Sequence, residues 1–375
     1  MAGIYLHIPF CRQACTYCNF HFTTSLRYKA DLVQALIKEM ALQKDYLQGE
    51  SIATIYFGGG TPSLLSIEEI QLLLAELRTT FPVRTDAEIT LEANSDDITA
   101  DQLLGWKDAG INRLSMGVQS FAEEELRWMN RAHTAAQAFD SIELSLKHGF
   151  TNMSIDLIYG SPLLTDERWK QNVAIATTYN IPHLSCYALT VEEKTPLHKQ
   201  ISQHIKADVD ADKQARQFLL LMQWLQEKGY EHYEVSNFAK PGFRSQHNSS
   251  YWKGEKYLGL GPSAHSYNGT SRQWNIANNN SYIQSINNGI IKSEAEVLTP
   301  TQQLNEYIMI ALRTIEGMDL KKIATTFGAS QANVITKRLQ RYINNRLVTH
   351  NNHIIQLTNE GMLMADGIAA DLFMS

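Results

Sequence analysis

Through the first half of the chain, apolar runs of strand length alternate with helical patterns. The runs Ile4–Ile8, Ile52–Phe57, Glu88–Ala93, Arg113–Val118, Asn152–Tyr159 and His183–Leu189 predict strands. Between them, Val33, Leu36, Ile37 and Met40 share one helical face, and so do Ile70, Leu73, Leu74 and Leu77. Ser66 followed by Glu69 predicts a capping box at the start of the latter helix. Six strand–helix units in a row predict an α/β fold. The parallel sheet would curl as a partial (β/α)6 TIM-type barrel, about three-quarters of the eight-stranded form.

From about Thr299 the pattern changes. Leu304–Ile315 reads as a helix. Asp319–Phe327, Ser330–Arg341, a strand at Ile354–Leu357 and a helix over Asn359–Phe373 resemble a helix-turn-helix with a wing. The expected organisation is a barrel over 1–230, an extension over 231–298 and a helical, winged-helix-like domain over 299–375. The Asn278-Asn279-Asn280 stretch reads as a loop.

Composition bounds the function. The 375 residues are 44% hydrophobic and 19% charged, ordinary for a globular protein. Lys337, Arg338 and Arg341 would lie on the recognition-like helix, where they read as a solvated face. With a formal charge of −6 and no basic stripe, the reading excludes a nucleic-acid partner. No apolar run is long enough to span a bilayer. The first residues show no basic segment followed by a long apolar stretch, as an export signal would.

Three of the four cysteines fall in Cys11-Arg-Gln-Ala-Cys15-Thr-Tyr-Cys18, a C-x3-C-x2-C run. Thiolates this close suit a soft metal or an iron–sulfur cluster. Three thiolates on a [4Fe–4S] cube leave one iron open for chemistry. The spacing also admits zinc, with His21 the nearest fourth donor. A disulfide is disfavoured by the low cysteine count, and the thiol cluster implies a reducing, cytoplasmic interior.

A second signal is positional. Gly58-Gly59-Gly60-Thr61-Pro62 follows the second predicted strand, Glu92 ends the third, and Gln119 follows the fourth. Asp156 lies in the fifth and Ala188 near the end of the sixth. Most of the unusual polar and glycine positions thus share the rim where barrel active sites lie. Successive glycines also let the backbone approach a ligand closely.

Tyr5-Leu-His-Ile-Pro-Phe-Cys11, continuing through Cys15-x-Tyr17-Cys18-x-Phe20, closely resembles the start of radical S-adenosylmethionine (SAM) enzymes. More narrowly it resembles the HemN/HemW family, which comprises oxygen-independent coproporphyrinogen III dehydrogenases and HemW-type heme chaperones. The resemblance covers nearly the whole chain and implies the same barrel. It implies a [4Fe–4S] cluster on Cys11, Cys15 and Cys18, with SAM on the open iron. An electron from the cluster would then cleave SAM to a 5′-deoxyadenosyl radical. It further implies that Gly59, Gly60 and Thr61 meet the methionine part of SAM. Glu92, Gln119, Arg131 and Asp156 would supply polar contacts to SAM, and Tyr5, Ile158 and Ala188 would pack on its adenosyl group. Arg131 suits a carboxylate. His7 and His21 would support the cluster loop, and Cys186 would be a buried, inert thiol. Two departures stand out. Glu92-Ala93-Asn94-Ser95 lacks the family's frequent proline, and Asn19 replaces the commoner aspartate.

The branch is read from three features. Phe20 stands where the dehydrogenase branch has a further cysteine, only ten residues precede Cys11, and His247-Asn-Ser-Ser-Tyr-Trp252 resembles a string associated with HemW and heme. These imply a heme chaperone, with the dehydrogenase as the alternative. The cofactors implied are the [4Fe–4S] cluster, SAM and heme, with His247 as an imidazole for heme iron. The partners implied are heme, apo-hemoprotein clients and an electron donor to the cluster. The reading leaves room for a homodimer and for peripheral membrane association through a partner.

Overall fold

The computed structural model describes residues 1–375. Strand β1 (Ala2–Ile8) leads to α1 (Lys29–Leu42), β2 (Ile52–Gly59), α2 (Ile67–Thr80), β3 (Val83–Ala93), α3 (Ala100–Ala109) and β4 (Arg113–Gln119). Helices α4 (Glu123–Trp128) and α5 (Ala135–Lys147) follow, then β5 (Met153–Tyr159), α6 (Asp166–Thr178), β6 (His183–Ala188), α7 (Pro196–Ser202) and α8 (Ala211–Glu227). Strands β1 to β6 pair in sequence order, all parallel. The capping box forms as expected: Ser66 Oγ accepts from Glu69 N, and Glu69 Oε2 accepts from Ser66 N.

Alternation along the strands sorts the barrel into two layers. Ile4, Leu6, Ile8, Ile55, Phe57, Leu91, Leu114, Met116, Ile155 and Leu157 belong to the main apolar core. The alternate positions are polar or small: Gly3, Tyr5 and His7 on β1, Thr54 and Tyr56 on β2, Glu88, Thr90 and Glu92 on β3, Arg113 and Ser115 on β4, Ser154 and Asp156 on β5. This second face is the barrel interior. Its polar character is why these segments read as interrupted apolar runs.

The 231–298 stretch extends both edges of the same sheet. Strand β8 (Asn237–Ala239) adds antiparallel to β6, and β7 (Glu231–Glu234) pairs antiparallel with β8 at the edge. Helix α9 (Gln246–Lys253) precedes β9 (Lys256–Leu260), which pairs parallel to β1. Strands β10 (His265–Tyr267) and β11 (Ser271–Asn275), helix α10 (Asn279–Asn287) and β12 (Ser293–Val297) complete it. The result is one 12-stranded sheet. The Asn278–Asn280 run is not a loop: Asn278 caps α10, its side chain accepting from Ser281 N.

The C-terminal part comprises α11 (Pro300–Leu312), β13 (Met318–Asp319), α12 (Leu320–Thr326), α13 (Ala329–Asn344), β14 (Val348–Asn351), β15 (Ile354–Leu357), α14 (Asn359–Met362) and α15 (Ala365–Leu372). It has its own core, with Ile308, Leu312, Ile323, Ile335, Ile355 and Ile368 fully buried. The single helix expected over Asn359–Phe373 is two. A Cβ at Gly361 would lie 1.9 Å from the Leu347 carbonyl oxygen. That close approach pins α14, and α15 turns away to pack on α11 and α13.

Candidate functional site

The cysteine loop leaves β1 and returns to it. Cys11 N donates to Thr23 O at 3.0 Å, and Thr23 N donates to Pro9 O at 2.8 Å, closing its base. The segment before α5 clamps its far side: Thr16 N donates to Met129 O, and Asn130 Nδ2 donates to Ala14 O at 2.7 Å. Arg12 reaches Asp97 at 2.7 Å. The loop is therefore held by elements from three strand ends rather than by its own sequence.

All three thiols are free and partly buried. Burial pushes the Cys18 thiol up to about 11 and raises that of Cys11. A neighbouring cation opposes this. Arg131 Nη1 donates to Cys15 Sγ at 3.3 Å, and Thr61 Oγ1 donates to Cys11 Sγ at 3.5 Å. Arg131 Nη2 donates to Asn94 Oδ1 at 2.6 Å, and Asn94 Nδ2 donates to Thr61 Oγ1 at 3.2 Å. A continuous polar chain thus runs Cys15–Arg131–Asn94–Thr61–Cys11. Arg131 Nε is buried without a partner, so the guanidinium keeps donor capacity.

A cavity of about 420 Å³ opens beside this chain. It is lined by Cys11, Cys15 and Cys18, by Gly59, Gly60 and Thr61, and by Glu92, Gln119, Arg131, Asp156, Ile158 and Ala188. Every strand from β1 to β6 contributes, directly or through the loop after it. In a flat sheet the first and last of six strands would stand about 24 Å apart. The sheet must curl for them to meet on one cavity. Gly60 lets β2 abut the cysteine loop, since a Cβ there would lie 2.6 Å from Phe10 O. Gly59 has φ +113°, and a Cβ there would strike the His7 ring. Gln119 also has positive φ, at 67°, where the β4–β5 register shifts.

The cavity's carboxyls are perturbed. Burial pushes Glu92 up to about 7, although Tyr56 donates to its Oε1 at 2.8 Å. Burial likewise raises Asp156 to about 6, opposed by Ser185, Arg113 and Arg131. Both therefore act as acceptors or donors within reach of neutral pH.

Two expected site residues lie elsewhere. Tyr5 faces the interior below the rim, stacked on Tyr56, and lines a neighbouring cavity instead. His247 also lies outside the cluster cavity. The string His247–Trp252 is helical within α9, whose N-terminus is held by Glu88, the carboxylate accepting from Gln246 N and His247 N at 3.1 Å. Its ring is buried between Tyr56 and Tyr251. Nδ1 bonds Thr54 Oγ1 at 2.7 Å and Nε2 bonds Tyr251 Oη at 2.9 Å. Burial lowers the imidazole to about 3, so it is neutral. With both nitrogens engaged inside the barrel floor, His247 offers no lone pair to heme iron. His7 is also fully engaged: Nε2 donates to His21 O and Nδ1 meets Tyr5 Oη. Cys186 is buried.

Sequence reasoning missed Asn94, which links Thr61 to Arg131, and Tyr187, which closes the cavity beside Ala188. Asn94 lay in a string already singled out, but nothing in that string shows its partners. Arg113 was missed as well. It is 1% exposed, with Nε and Nη2 unpartnered, inside the barrel.

The description Radical SAM superfamily matches residues 5–174, and HemN C-terminal domain matches residues 298–364. The heme chaperone HemW of Lactococcus lactis subsp. lactis is 32% identical over 364 residues, covering 97% of this chain and 95% of that protein. HemW of Bacillus subtilis is 31% identical over 371 residues, 98% of each. HemW of Escherichia coli is 38% identical over 268 residues, 70% of this chain and 69% of that one. The solved structure of coproporphyrinogen III oxidase (HemN) from Escherichia coli superposes with a TM-score of 0.86 at 25% identity, over 99% of this chain and 90% of that chain. The three-cysteine loop and the polar rim of an incomplete barrel, joined to full-length similarity above 30%, show that the chain belongs to the HemW family within the radical SAM superfamily.

Proposed function

We propose that this protein is a heme chaperone: it binds heme and delivers it to apo-hemoproteins. The observation that carries this reading is the match to relatives named heme chaperone HemW along almost their whole length. The fold alone does not choose, because a coproporphyrinogen oxidase shares it. Phe20, exposed at the position where the dehydrogenase branch has cysteine, favours the chaperone.

Radical SAM proteins use a [4Fe–4S] cluster and SAM, which supply one-electron chemistry when bound. The residues present suit both groups. Cys11, Cys15 and Cys18 would hold the cluster, and the three soft donors leave the fourth position to a ligand. Arg131 would hold Cys15 in place through its Sγ and keep a donor for a carboxylate. Gly59, Gly60 and Thr61 would admit the backbone-contacting end of SAM. Glu92, Gln119 and Asp156 would orient its polar groups, and Ile158 and Ala188 would wall its ring. An electron donor to the cluster belongs to this reading, as does residence in the cytoplasm. No helix is long and apolar enough to cross a membrane. Membrane association would then run through a client, and the protein could work as a homodimer.

The test is one anaerobic preparation assayed twice. It should bind heme saturably and transfer it to an apo-hemoprotein, and should leave coproporphyrinogen III unconverted with SAM and reductant present. Sustained decarboxylation by that preparation would overturn the chaperone reading.

A further inference from the structure

A second cavity, of about 660 Å³, adjoins the cluster cavity. Asn19 and Phe20 line both, so the end of the cysteine loop separates them. The volume is that of a site for an extended small molecule. Its walls are aromatic, from Tyr251, Trp252, Tyr257, Tyr267 and Tyr307. Tyr251 and Tyr257 meet edge to face at 4.6 Å, which fixes both rings. Phe20 stands at the rim, 68% exposed. Such walls suit a flat, apolar macrocycle.

The charges in the lining are unevenly satisfied. Arg272 is held by Glu306 and lies 3.9 Å from Glu296. Lys253 and Lys322 line the cavity and neither has a carboxylate partner; Lys322 instead lies over the Tyr307 ring at 4.4 Å. Glu255 is the lining's one carboxylate without a cation. Two free ammonium groups at the edge of an aromatic slot suit a ligand with two carboxylates.

Three histidines line the same cavity. His7 has both nitrogens engaged. His21 donates from Nε2 to Asn279 Oδ1 at 2.7 Å. His265, on β10, stacks on Trp274 at 6.1 Å and 26° and has no hydrogen-bond partner for either nitrogen. Its ring is thus oriented by packing while its lone pair stays free. A third cavity at the barrel floor, about 570 Å³, shares Trp252, Lys253, Glu255, Tyr307 and Lys322 but contains no histidine.

We infer that heme sits in the 660 Å³ cavity, its iron on the His265 imidazole and its propionates at Lys253 and Lys322. This rests on the chaperone reading and assigns the place of the cargo, which the sequence had assigned to His247. It also puts the cargo against the loop that carries the cluster cysteines.

The experiment is hemin titration of the full-length protein, followed by Soret absorbance and electron paramagnetic resonance. Wild type should saturate at about one heme per chain, with a nitrogen-ligated spectrum. His265→Ala should raise the dissociation constant about tenfold or more and lose that spectrum, and added imidazole should restore it. Because His265 is exposed, thermal unfolding of this variant should match wild type. The double variant Lys253→Glu, Lys322→Glu should weaken binding with the spectrum kept. Unchanged affinity and spectrum in His265→Ala would overturn this site and leave the chaperone reading standing. Loss of the spectrum in His21→Ala with His265→Ala unaffected would overturn the axial assignment. Failure of wild type to saturate would overturn the chaperone reading itself.

Discussion

Cys11 and Cys15 are joined through Thr61, Asn94 and Arg131, so the thiols are placed by residues up to 120 positions away in sequence. Replacing Cys11, Cys15 or Cys18 with alanine should remove the cluster. Cys186→Ala should retain it, because that thiol is buried away from the cavity. Iron and sulfide analysis after anaerobic reconstitution checks this, with about four irons per wild-type chain. Stoichiometric zinc after anaerobic expression would contradict it. His247 belongs to stability instead. His247→Ala would leave the Thr54 and Tyr251 hydroxyls without partners inside the barrel, and a void beside Tyr56. The expected cost is about 2–4 kcal/mol, read from urea denaturation of the cluster-free protein. A variant as stable as wild type would mean that the barrel floor is not packed as described.

At the scale of elements, α1 is tied to the 231–298 stretch by one buried carboxyl. Glu39 accepts from Gly261 N at 2.8 Å, Asn275 Nδ2 at 2.6 Å and Tyr282 Oη at 2.5 Å. Burial raises it from 4.5 to about 7 despite those three donors. The sign follows. Between those values the folded chain binds this proton more tightly than the unfolded chain. The stability contributed by Glu39 is therefore full below about pH 4.5 and lost as pH rises through about 7. Relative to Glu39→Gln, wild type should lose stability across that window. Urea midpoints of both proteins at a series of pH values measure it, and the other titrating groups cancel between them. A pH-independent difference would show that Glu39 does not titrate there.

At the scale of the whole molecule, the winged-helix-like part ties two of its exposed arginines to the end of the chain. Arg338 donates to Phe373 O at 2.7 Å, and Arg341 pairs with Asp371. All three cations on that helix are exposed, and of them only Lys337 lacks an acceptor within the chain. Combined with a charge of −6, this predicts no salt-dependent retention of duplex DNA in a gel-shift titration. A binding constant that falls steeply with salt would contradict it.

What the sequence determined by itself was whatever depends on local spacing. The six strand–helix units, the capping box at Ser66, the cysteine run and the glycine segment after β2 all follow from neighbours within a few residues. The rim residues were also legible, because strand ends converge on one side of any parallel barrel. What only the tertiary structure decided was which side chains are already satisfied. His247 and His265 are both histidines beside aromatic residues in the same stretch. The first is buried with both nitrogens bonded, and the second is exposed with both free. That difference arises because α9 packs against β1 and β2 inside the barrel, while β10 extends the sheet beyond β9. Asn94 and Glu39 were hidden for the same reason. Their partners come from distant strands, and a hydrogen bond across 37 or 236 residues leaves no periodic trace in the chain.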